Sequence, residues 1–423
     1  MDVLTLIECF DTFSPQNIAS CLYLRPEKLI FLGDQAQIEP YLPHYRMLLT
    51  QRNISTRISC CHVPVDQMET MVQKLQNLLQ QDEAYAIDIS GGDERILLAV
   101  GAALASMEEQ KQKKITVQCF DPVSGMAQPL GGTAALVGQP VRLCVRELVQ
   151  LQGGVLHPDT PEPQAYHTSA DLDKIWALAC QNPGEWNRNI SILREFESRA
   201  DSEHQVFLPL REIRNGIANF ESKLDQVRSL LAVLHACGVI RNQSSGDYLE
   251  YAYTSPLMRR CTKGAGNLLE IKVLLEARAV QDRGENYFHD CQLGVHIDWD
   301  GVVYDQRQRI PNTKNEVDLI LMRGMMPLFV SCKNGDVKEE ELYKLNTVAT
   351  RFGGPCAPKM LIATDLSNQK PGSCDSLVQR GLDMGIFLVP DAATLTKQGW
   401  TEIFLKAMQD SCTADKSNKK KSG

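Results

Sequence analysis

Two carboxylates and a lysine in the C-terminal part of the chain have the types and spacing needed for metal-assisted hydrolysis. The stretch NEVDLILMRGMMPLFVSCKNG (315–335) has Glu316 and Asp318 in one apolar strand and Lys333 at the end of the next. Because side chains alternate along a strand, Asp318 shares a face with Glu316, and Ser331 shares a face with Lys333. Carboxylates are ligands that Mg²⁺ prefers, and a bound divalent metal activates water and stabilises charge on a phosphodiester.

A structural explanation of the same residues stays open. An Asp and a Lys on neighbouring strands can form a plain ion pair, worth only roughly a few tenths of a kcal/mol when exposed. Lys333, however, follows the apolar run LFVSC. A lysine that ends a buried strand needs a partner, because an unpaired buried charge is costly. The pattern therefore favours a chemical site over a surface ion pair.

The elements around these residues predict an α/β unit from about residue 264 onward. GAGNLLEIKVLLEARAV predicts a helix, and CQLGVHIDWDG, NEVDLILMRG and PLFVSCKNG predict three antiparallel strands. EEELYKLNTVATRFGG predicts a second helix, and PKMLIATD and GIFLVP predict further strands with a helix between them. The lysine-rich end, TADKSNKKKSG, is predicted to be disordered.

Residues 1–122 predict a Rossmann-like sheet. Continuous apolar strands (VLTLIECF, KLIFLGD, RISCCHVPV, YAIDIS and KITVQCF) alternate with helical segments, which is typical of a parallel sheet covered on both faces. Ligands bind such sheets at the carboxyl ends of the strands, where this chain has the loops DTFSPQN (11–17) and DISGGDER (88–95). Each loop alone is explained by a helix cap or a tight turn. The two together indicate a ligand pocket, and no GxGxxG or P-loop motif is present.

The middle of the chain predicts a linker and a small helical unit. Residues 123–168 are rich in Gly and Pro, with a strand or two expected around VRLCVRELVQLQ. Residues 169–260 predict helices followed by a hairpin at IRNQSSGDYLEYAYTSP, a winged-helix-like order. The helix ESKLDQVRSLLAVLHACGVI has no dense basic face, so a spacer is favoured over a DNA-contacting unit.

Composition restricts the class of protein. With 423 residues and a net charge of −8, the chain predicts several domains and only a local contact with nucleic acid. No signal peptide or apolar membrane span is recognisable, so a cytoplasmic protein that does not enter a membrane is expected. The 14 cysteines are scattered without CxxC spacing, and the histidines form no HxxxH or HExxH pattern. Reduced thiols are therefore expected, and no zinc site.

The quoted motifs resemble those of a known family. Residues 264–364, with NEVDLI and SCKNG, look like a PD-(D/E)xK nuclease, and the N-terminal sheet with its SGG turn resembles a CARF domain. The combination is similar to the CARF-domain ancillary nucleases of type III CRISPR systems. The resemblance implies a homodimer that binds cyclic tetra-adenylate and then, with Mg²⁺ or Mn²⁺, cleaves DNA, RNA or both. It implies a CARF-like domain (1–150), a linker and connector (151–262), a nuclease-like domain (263–410) and a disordered tail (411–423).

The resemblance also implies roles for individual residues. The family's metal-binding aspartate falls on Asp318, its lysine on Lys333 and its helix-borne glutamate on Glu270. The ligand-binding residues are implied to lie in the two loops of the N-terminal sheet, namely Ser14, Asn17, Ser90, Gly91 and Gly92, with Asp93 and Glu94 where many CARF domains continue with Thr and Lys.

One departure concerns the nuclease motif, whose acid is replaced by Ser331. A metal needs a carboxylate at a point in space, and Glu341 begins a helix that can face the strand ends. Glu341 is therefore the first candidate for the missing catalytic and metal-binding acid, and Glu316 is the second. Residues 339–341 can alternatively stabilise the helix dipole. A site that has lost its activity, in a sensor that only binds nucleic acid, is the alternative function.

Overall fold

The computed structural model describes residues 4–418 except 13–14, 65, 81–82, 109–111, 113, 131–135, 162–169, 203, 304–312 and 367–372. The described chain forms two six-stranded sheets, one three-stranded sheet and a two-stranded ribbon, with helices packed around them. The predicted α/β class is confirmed. Within the described residues, no helix is both long and apolar enough to cross a membrane.

The N-terminal sheet has five parallel strands and one antiparallel edge strand. Its inner strand Leu4–Cys9 is buried on both sides, because Leu6 and Ile7 point into different apolar clusters. All five predicted strands are present. Across the sheet the strands are Arg57–His62, Lys28–Gly33, Leu4–Cys9, Ala84–Asp88, Ile115–Asp121 and Met126–Pro129. The helices around it are Pro15–Ile18, Ala19–Leu24, Gln35–Ile38, Glu39–Tyr41, Leu42–Gln51, Met68–Leu78 and Glu94–Ala105.

The prediction of strands around VRLCVRELVQLQ is wrong, because Val145–Leu151 is a helix. Val145, Leu148 and Val149 are all buried, which is the spacing of a helix face rather than of a strand. Glu147 closes the first turn by accepting a hydrogen bond from the Cys144 amide at 2.9 Å. The chain then forms the short strand Val155–Leu156, which pairs antiparallel with the edge of the C-terminal sheet.

The connector has the predicted winged-helix-like order and one strand more than predicted. Its hairpin, Ile240–Ser245 with Tyr248–Tyr253, is joined by the strand Gln205–Pro209 to form a three-stranded sheet. Its core continues into the core of the C-terminal unit, since Leu224 and Leu269 belong to one cluster. Its helices are Ala170–Gln181, Pro183–Glu197, Leu210–Ile213, Arg214–Gly216 and Phe220–Ala236.

The C-terminal sheet confirms the predicted order of helix, three antiparallel strands, helix and strand. Across the sheet its strands are Ile386–Val389, Lys359–Ala363, Met326–Lys333, Lys314–Arg323, Asp290–Asp298 and Val155–Leu156. The small ribbon pairs Gln281–Asp282 with Glu285–Asn286. The helices are Pro256–Thr262, Asn267–Ala279, Glu339–Gly353, Ser373–Asp383, Ala392–Thr394 and Lys397–Asn418.

The last helix extends into the segment 411–423, for which the sequence predicts a disordered tail. Residues 419–423 lie outside the described residues. The four domain boundaries drawn from the sequence stay a prediction.

A backbone joint links the two large sheets. The amide of Met325 donates to the carbonyl of Pro122 at 2.7 Å, and the amide of Leu143 donates to the carbonyl of Gly324 at 2.9 Å. Gly324 has a φ of +61°, and an added Cβ there would lie 2.4 Å from the Pro122 oxygen. The turn between strands Lys314–Arg323 and Met326–Lys333 is therefore in direct backbone contact with the N-terminal unit.

Candidate functional site

The site is built on the central hairpin, defined here as the strands Lys314–Arg323 and Met326–Lys333. Leu319 pairs with Val330, so Asp318 and Ser331 follow on adjacent positions of the two strands. The Ser331 hydroxyl donates to Asp318 Oδ2 at 3.1 Å, and the Cys332 amide donates to the same oxygen at 2.6 Å. Lys333 Nζ lies 3.8 Å from that oxygen. Ser331 thus orients the aspartate.

Glu341 lies beside Lys333, in the first turn of the helix Glu339–Gly353. Lys333 Nζ is 2.8 Å from Glu341 Oε2, and Lys344 Nζ is 2.8 Å from Glu341 Oε1. Partial burial raises the pKa of Glu341, but the hydrogen bonds and charges of the two lysines outweigh it, and the net pKa is lowered. Both carboxylate oxygens are therefore engaged, and Glu341 orients Lys333 in this arrangement.

Glu270 faces the hairpin from the helix Asn267–Ala279. Burial, and then the negative charges of Asp318 and Glu316, raise its pKa to about 7. Burial likewise raises the pKa of Asp318, against the opposing effect of Lys333. Negative charges of neighbouring carboxylates thus act on both Glu270 and Asp318, and the positive charge of Lys333 offsets them only in part. Glu316 is more exposed, and its Oε1 lies 3.5 Å from Nε2 of His296.

A divalent cation fits this donor set. Carboxylates whose pKa values are raised by burial first, and by neighbouring negative charges second, would be stabilised by added positive charge, and oxygen ligands suit Mg²⁺ and Mn²⁺. Asp318 and Glu270 are the residues that could hold it, because the charge of Asp318 acts on Glu270. Glu341 remains a predicted ligand, although both its oxygens contact lysines.

A cavity of about 460 Å³ opens over the hairpin and includes Asp318, Ser331, Lys333 and Glu341 in its wall. This volume lies within the usual range for small-molecule sites. Among the residues of the wall that the sequence analysis missed, four carry polar or aromatic side chains of interest: Trp299, Lys314, Tyr343 and Lys344. Lys344 and Tyr343 could have been found from their places in the first turns of the helix that carries Glu341, and Lys314 from the start of the strand that carries Asp318. Trp299 comes from a separate segment.

The two loops predicted to form a ligand pocket meet at the mouth of the N-terminal sheet. A Cβ at Gly91 would lie 3.0 Å from Cβ of Asp11, and one at Gly92 would lie 2.8 Å from Cβ of Cys9. Gly92 also has a φ of +103°. Both glycines are explained by this close approach, which brings the loop 88–95 against the loop that follows the first strand.

The polar residues of these loops hold the loops in place. Asn17 is buried, and its amide group accepts from the Asp11 amide at 2.9 Å and donates to the Asp11 carbonyl at 2.5 Å. The Ser90 amide donates to Asp88 Oδ1 at 2.7 Å. Asn17 and Ser90 thus shape the mouth of the sheet. Ser14 lies outside the described residues.

Asp93 caps a helix. Its Oδ1 accepts from the Arg95 amide at 2.9 Å, and its Oδ2 lies 2.8 Å from a guanidinium nitrogen of Arg95. Those hydrogen bonds lower the pKa of Asp93 to about 2. Glu94 follows, exposed, in the first helical turn. The acidic charge of Asp93 is thus neutralised by Arg95.

Comparison with known proteins shows the fold. No protein-family model and no curated protein sequence matches the chain. Protein VC1899 from Vibrio cholerae is similar, with a TM-score of 0.66 and 16% identity over 96% of this chain and 97% of that one. Can2 from Sulfobacillus thermosulfidooxidans, solved in complex with cyclic tetra-adenylate, has a TM-score of 0.62 and 15% identity over the same shares. The predicted resemblance is thereby confirmed for the fold.

Proposed function

We propose that this chain is a divalent-metal-dependent nuclease of type III CRISPR defence that is activated by a cyclic oligoadenylate. The observation that carries the proposal is the cluster of Asp318, Lys333 and Glu341 in one cavity, beside Glu270 with its raised pKa. The activator is inferred from the fold, which the chain shares from end to end with Can2, a protein solved with cyclic tetra-adenylate. The substrate is DNA, RNA or both.

Each residue of the cluster has a distinct role in this proposal. Burial lowers the pKa of Lys333, but Asp318 and Glu341 outweigh burial and raise it, so that the ammonium stays protonated. Its positive charge can hold a phosphate oxygen or orient the attacking water, and Glu341 positions it. A metal held by Asp318 and Glu270 would supply an activated water and stabilise charge on the phosphodiester.

The serine at position 331 supports one alternative function, a sensor that binds nucleic acid without cutting it. Ser331 stands where the motif has an acid, and its hydroxyl donates to Asp318. The substitution Ser331→Glu separates the two functions. In a site that has lost its acid, the new glutamate should restore metal-dependent cleavage. In the active site proposed here, it adds a fifth carboxylate beside Asp318, and cleavage should fall.

Homodimer formation through the N-terminal unit is part of the proposal. The helix Glu94–Ala105, which starts at the mouth of the sheet, presents Leu98 with 64% of its surface exposed. Gly101, Ala102 and Ala105 are exposed on the same helix, at the spacing of one face. A second copy of this chain would cover that apolar face and close the mouths of two sheets over one ligand. Sedimentation of the Leu98→Glu variant should then show a monomer where the unmodified chain is a dimer.

Alanine substitutions test the nuclease proposal. Asp318→Ala, Lys333→Ala and Glu341→Ala should each lower cleavage by at least about 10²-fold, the usual effect of losing a group that assists proton transfer or charge stabilisation. Lys338→Ala is the matched control, because Lys338 is exposed just before the same helix. Melting curves establish that the variants fold. Cleavage close to that of the unmodified chain by Lys333→Ala would refute the mechanism.

A further inference from the structure

A second cluster of metal-ligating side chains lies at the edge of the C-terminal sheet. His157, Asp159 and His296 each offer a ligand atom, and these atoms all lie within 4.8 Å of one another. Nδ1 of His157 is 3.1 Å from Oδ2 of Asp159. The imidazoles are mostly buried, with 13% and 20% of their side-chain surfaces exposed. Nδ1 of His296 is fully buried and has no hydrogen-bond partner among the described residues.

The backbone holds this cluster in place before any ion binds. The His157 amide donates to the His296 carbonyl at 2.8 Å, and the His296 amide donates to the Thr160 hydroxyl at 3.2 Å. The Thr160 amide in turn donates to the His157 carbonyl at 3.0 Å. The backbone of the turn 157–160 is thus fixed against the strand Asp290–Asp298, which keeps the three residues side by side.

We propose that His157, Asp159 and His296 bind a transition-metal ion of the Zn²⁺ class. Two imidazoles and a carboxylate are a donor set that suits Zn²⁺, Co²⁺ or Ni²⁺ and differs from the all-oxygen set around Asp318. Glu316 is a further carboxylate beside the cluster, because its Oε1 lies 3.5 Å from Nε2 of His296.

The proposed ion would act as a clip between two parts of the chain. His157 and Asp159 follow the edge strand Val155–Leu156 of the C-terminal sheet, and His296 belongs to the neighbouring strand Asp290–Asp298 of the same sheet. An ion shared between them would hold the two-residue edge strand to its neighbour, beyond the few hydrogen bonds of that short pair. Such a site would stabilise the edge of the C-terminal sheet and stands whether or not the chain is a nuclease.

Lys314 supplies a way to identify the carboxylate ligand. Its Nζ lies 3.1 Å from Oδ2 of Asp159, so its ammonium competes with any cation for that oxygen. The variant Lys314→Ala should therefore bind the metal more tightly, and Asp159→Asn, which preserves the shape of the side chain, should bind it more weakly. Unchanged affinity in both variants would overturn the assignment of Asp159.

Cobalt(II) is the probe for the site, because its visible spectrum reports nitrogen and oxygen ligands directly. In an Asp318→Ala background, which removes the oxygen site, the full chain should bind one equivalent of Co²⁺. Either His157→Ala or His296→Ala should raise the Kd by more than about 100-fold, since losing even an outer-shell partner costs about 10–100-fold. His62→Ala is the control, because His62 lies 3.7 Å from Asp34 and belongs to no cluster of three metal-ligating side chains among the described residues.

Two outcomes would refute the proposal. One is the absence of Co²⁺ binding in the Asp318→Ala background. The other is binding that persists unchanged when His157 or His296 is replaced in a chain that still melts cooperatively, which would indicate adventitious binding elsewhere. A chain that binds Co²⁺ as described but never cleaves nucleic acid would support the clip and contradict the proposed function.

Discussion

The joint between the two large sheets predicts that Gly324→Ala is strongly destabilising. Gly324 occupies the turn of the hairpin that carries Asp318 and Lys333, and its φ is +61°. An added Cβ would lie 2.4 Å from the carbonyl oxygen of Pro122 and 2.5 Å from that of Val123. Both contacts are with backbone, so the methyl group can be accommodated only if the two units move apart.

The free energy has two parts. The left-handed backbone conformation costs a non-glycine residue about 1–2 kcal/mol. Separating the units also breaks the hydrogen bonds from Met325 to Pro122 and from Leu143 to Gly324, each worth about 0.5–1.5 kcal/mol net. We therefore expect Gly324→Ala to lower the free energy of unfolding by about 2–5 kcal/mol.

Gly284→Ala is the matched control. Gly284 has a φ of +86°, and a Cβ added there would have no other atom within 4 Å, so only the conformational cost of about 1–2 kcal/mol applies. Urea unfolding of the two variants, with the same m-value, measures the difference. If Gly324→Ala and Gly284→Ala destabilise the chain equally, the claim that the backbone contact at Gly324 holds the two units together is refuted. If this contact transmits activation, the Gly324→Ala variant should bind the activator normally but show weaker activator-dependent cleavage.

Three further predictions concern single carboxylates. The pKa of Glu270 is raised to about 7 in the folded chain, so the folded state holds its proton longer than the unfolded state does. The metal-free chain should therefore lose up to about 3 kcal/mol of stability as pH rises from about 4.5 through 7. Glu270→Gln should abolish this slope in thermal melts. Since Glu341 helps to raise the pKa of Lys333, Glu341→Gln should move the alkaline limb of the cleavage–pH profile to lower pH, and an unmoved limb would exclude Lys333 as the titrating group. Asp93→Ala should lower the free energy of unfolding by about 1 kcal/mol, because it removes the helix cap that accepts from the Arg95 amide. Activator affinity measured by calorimetry should change little.

Most of the fold could be predicted because its strands are distinctive. Continuous apolar runs such as LTLIEC and KLIFLG are buried on both faces, as a parallel sheet requires, and both are strands here. The helix Val145–Leu151 resembles a strand in sequence because valines and leucines dominate it, and its helical spacing is visible only over two turns. The strand Gln205–Pro209 escapes prediction because a five-residue strand between helices has too little pattern.

The site could be predicted only in part. Alternation along two adjacent strands is a local rule, and it correctly places Asp318 near Lys333. The sequence predicts Glu341 as a carboxylate that replaces the acid missing at Ser331, and it does not predict the contacts of Glu341 with both Lys333 and Lys344. The cluster of His157 and His296 is beyond the reach of sequence reasoning, because its members come from segments that are remote in sequence and meet only through sheet pairing.

The central claim is tested most directly by cleavage assays on the full chain. Plasmid DNA and labelled single-stranded DNA and RNA are incubated with Mn²⁺ or Mg²⁺, with and without cyclic tetra-adenylate. The account predicts cleavage only when metal and activator are both present. An absence of cleavage, in a protein that calorimetry shows to bind the activator tightly, would contradict it and would support a sensor whose hairpin site no longer cuts.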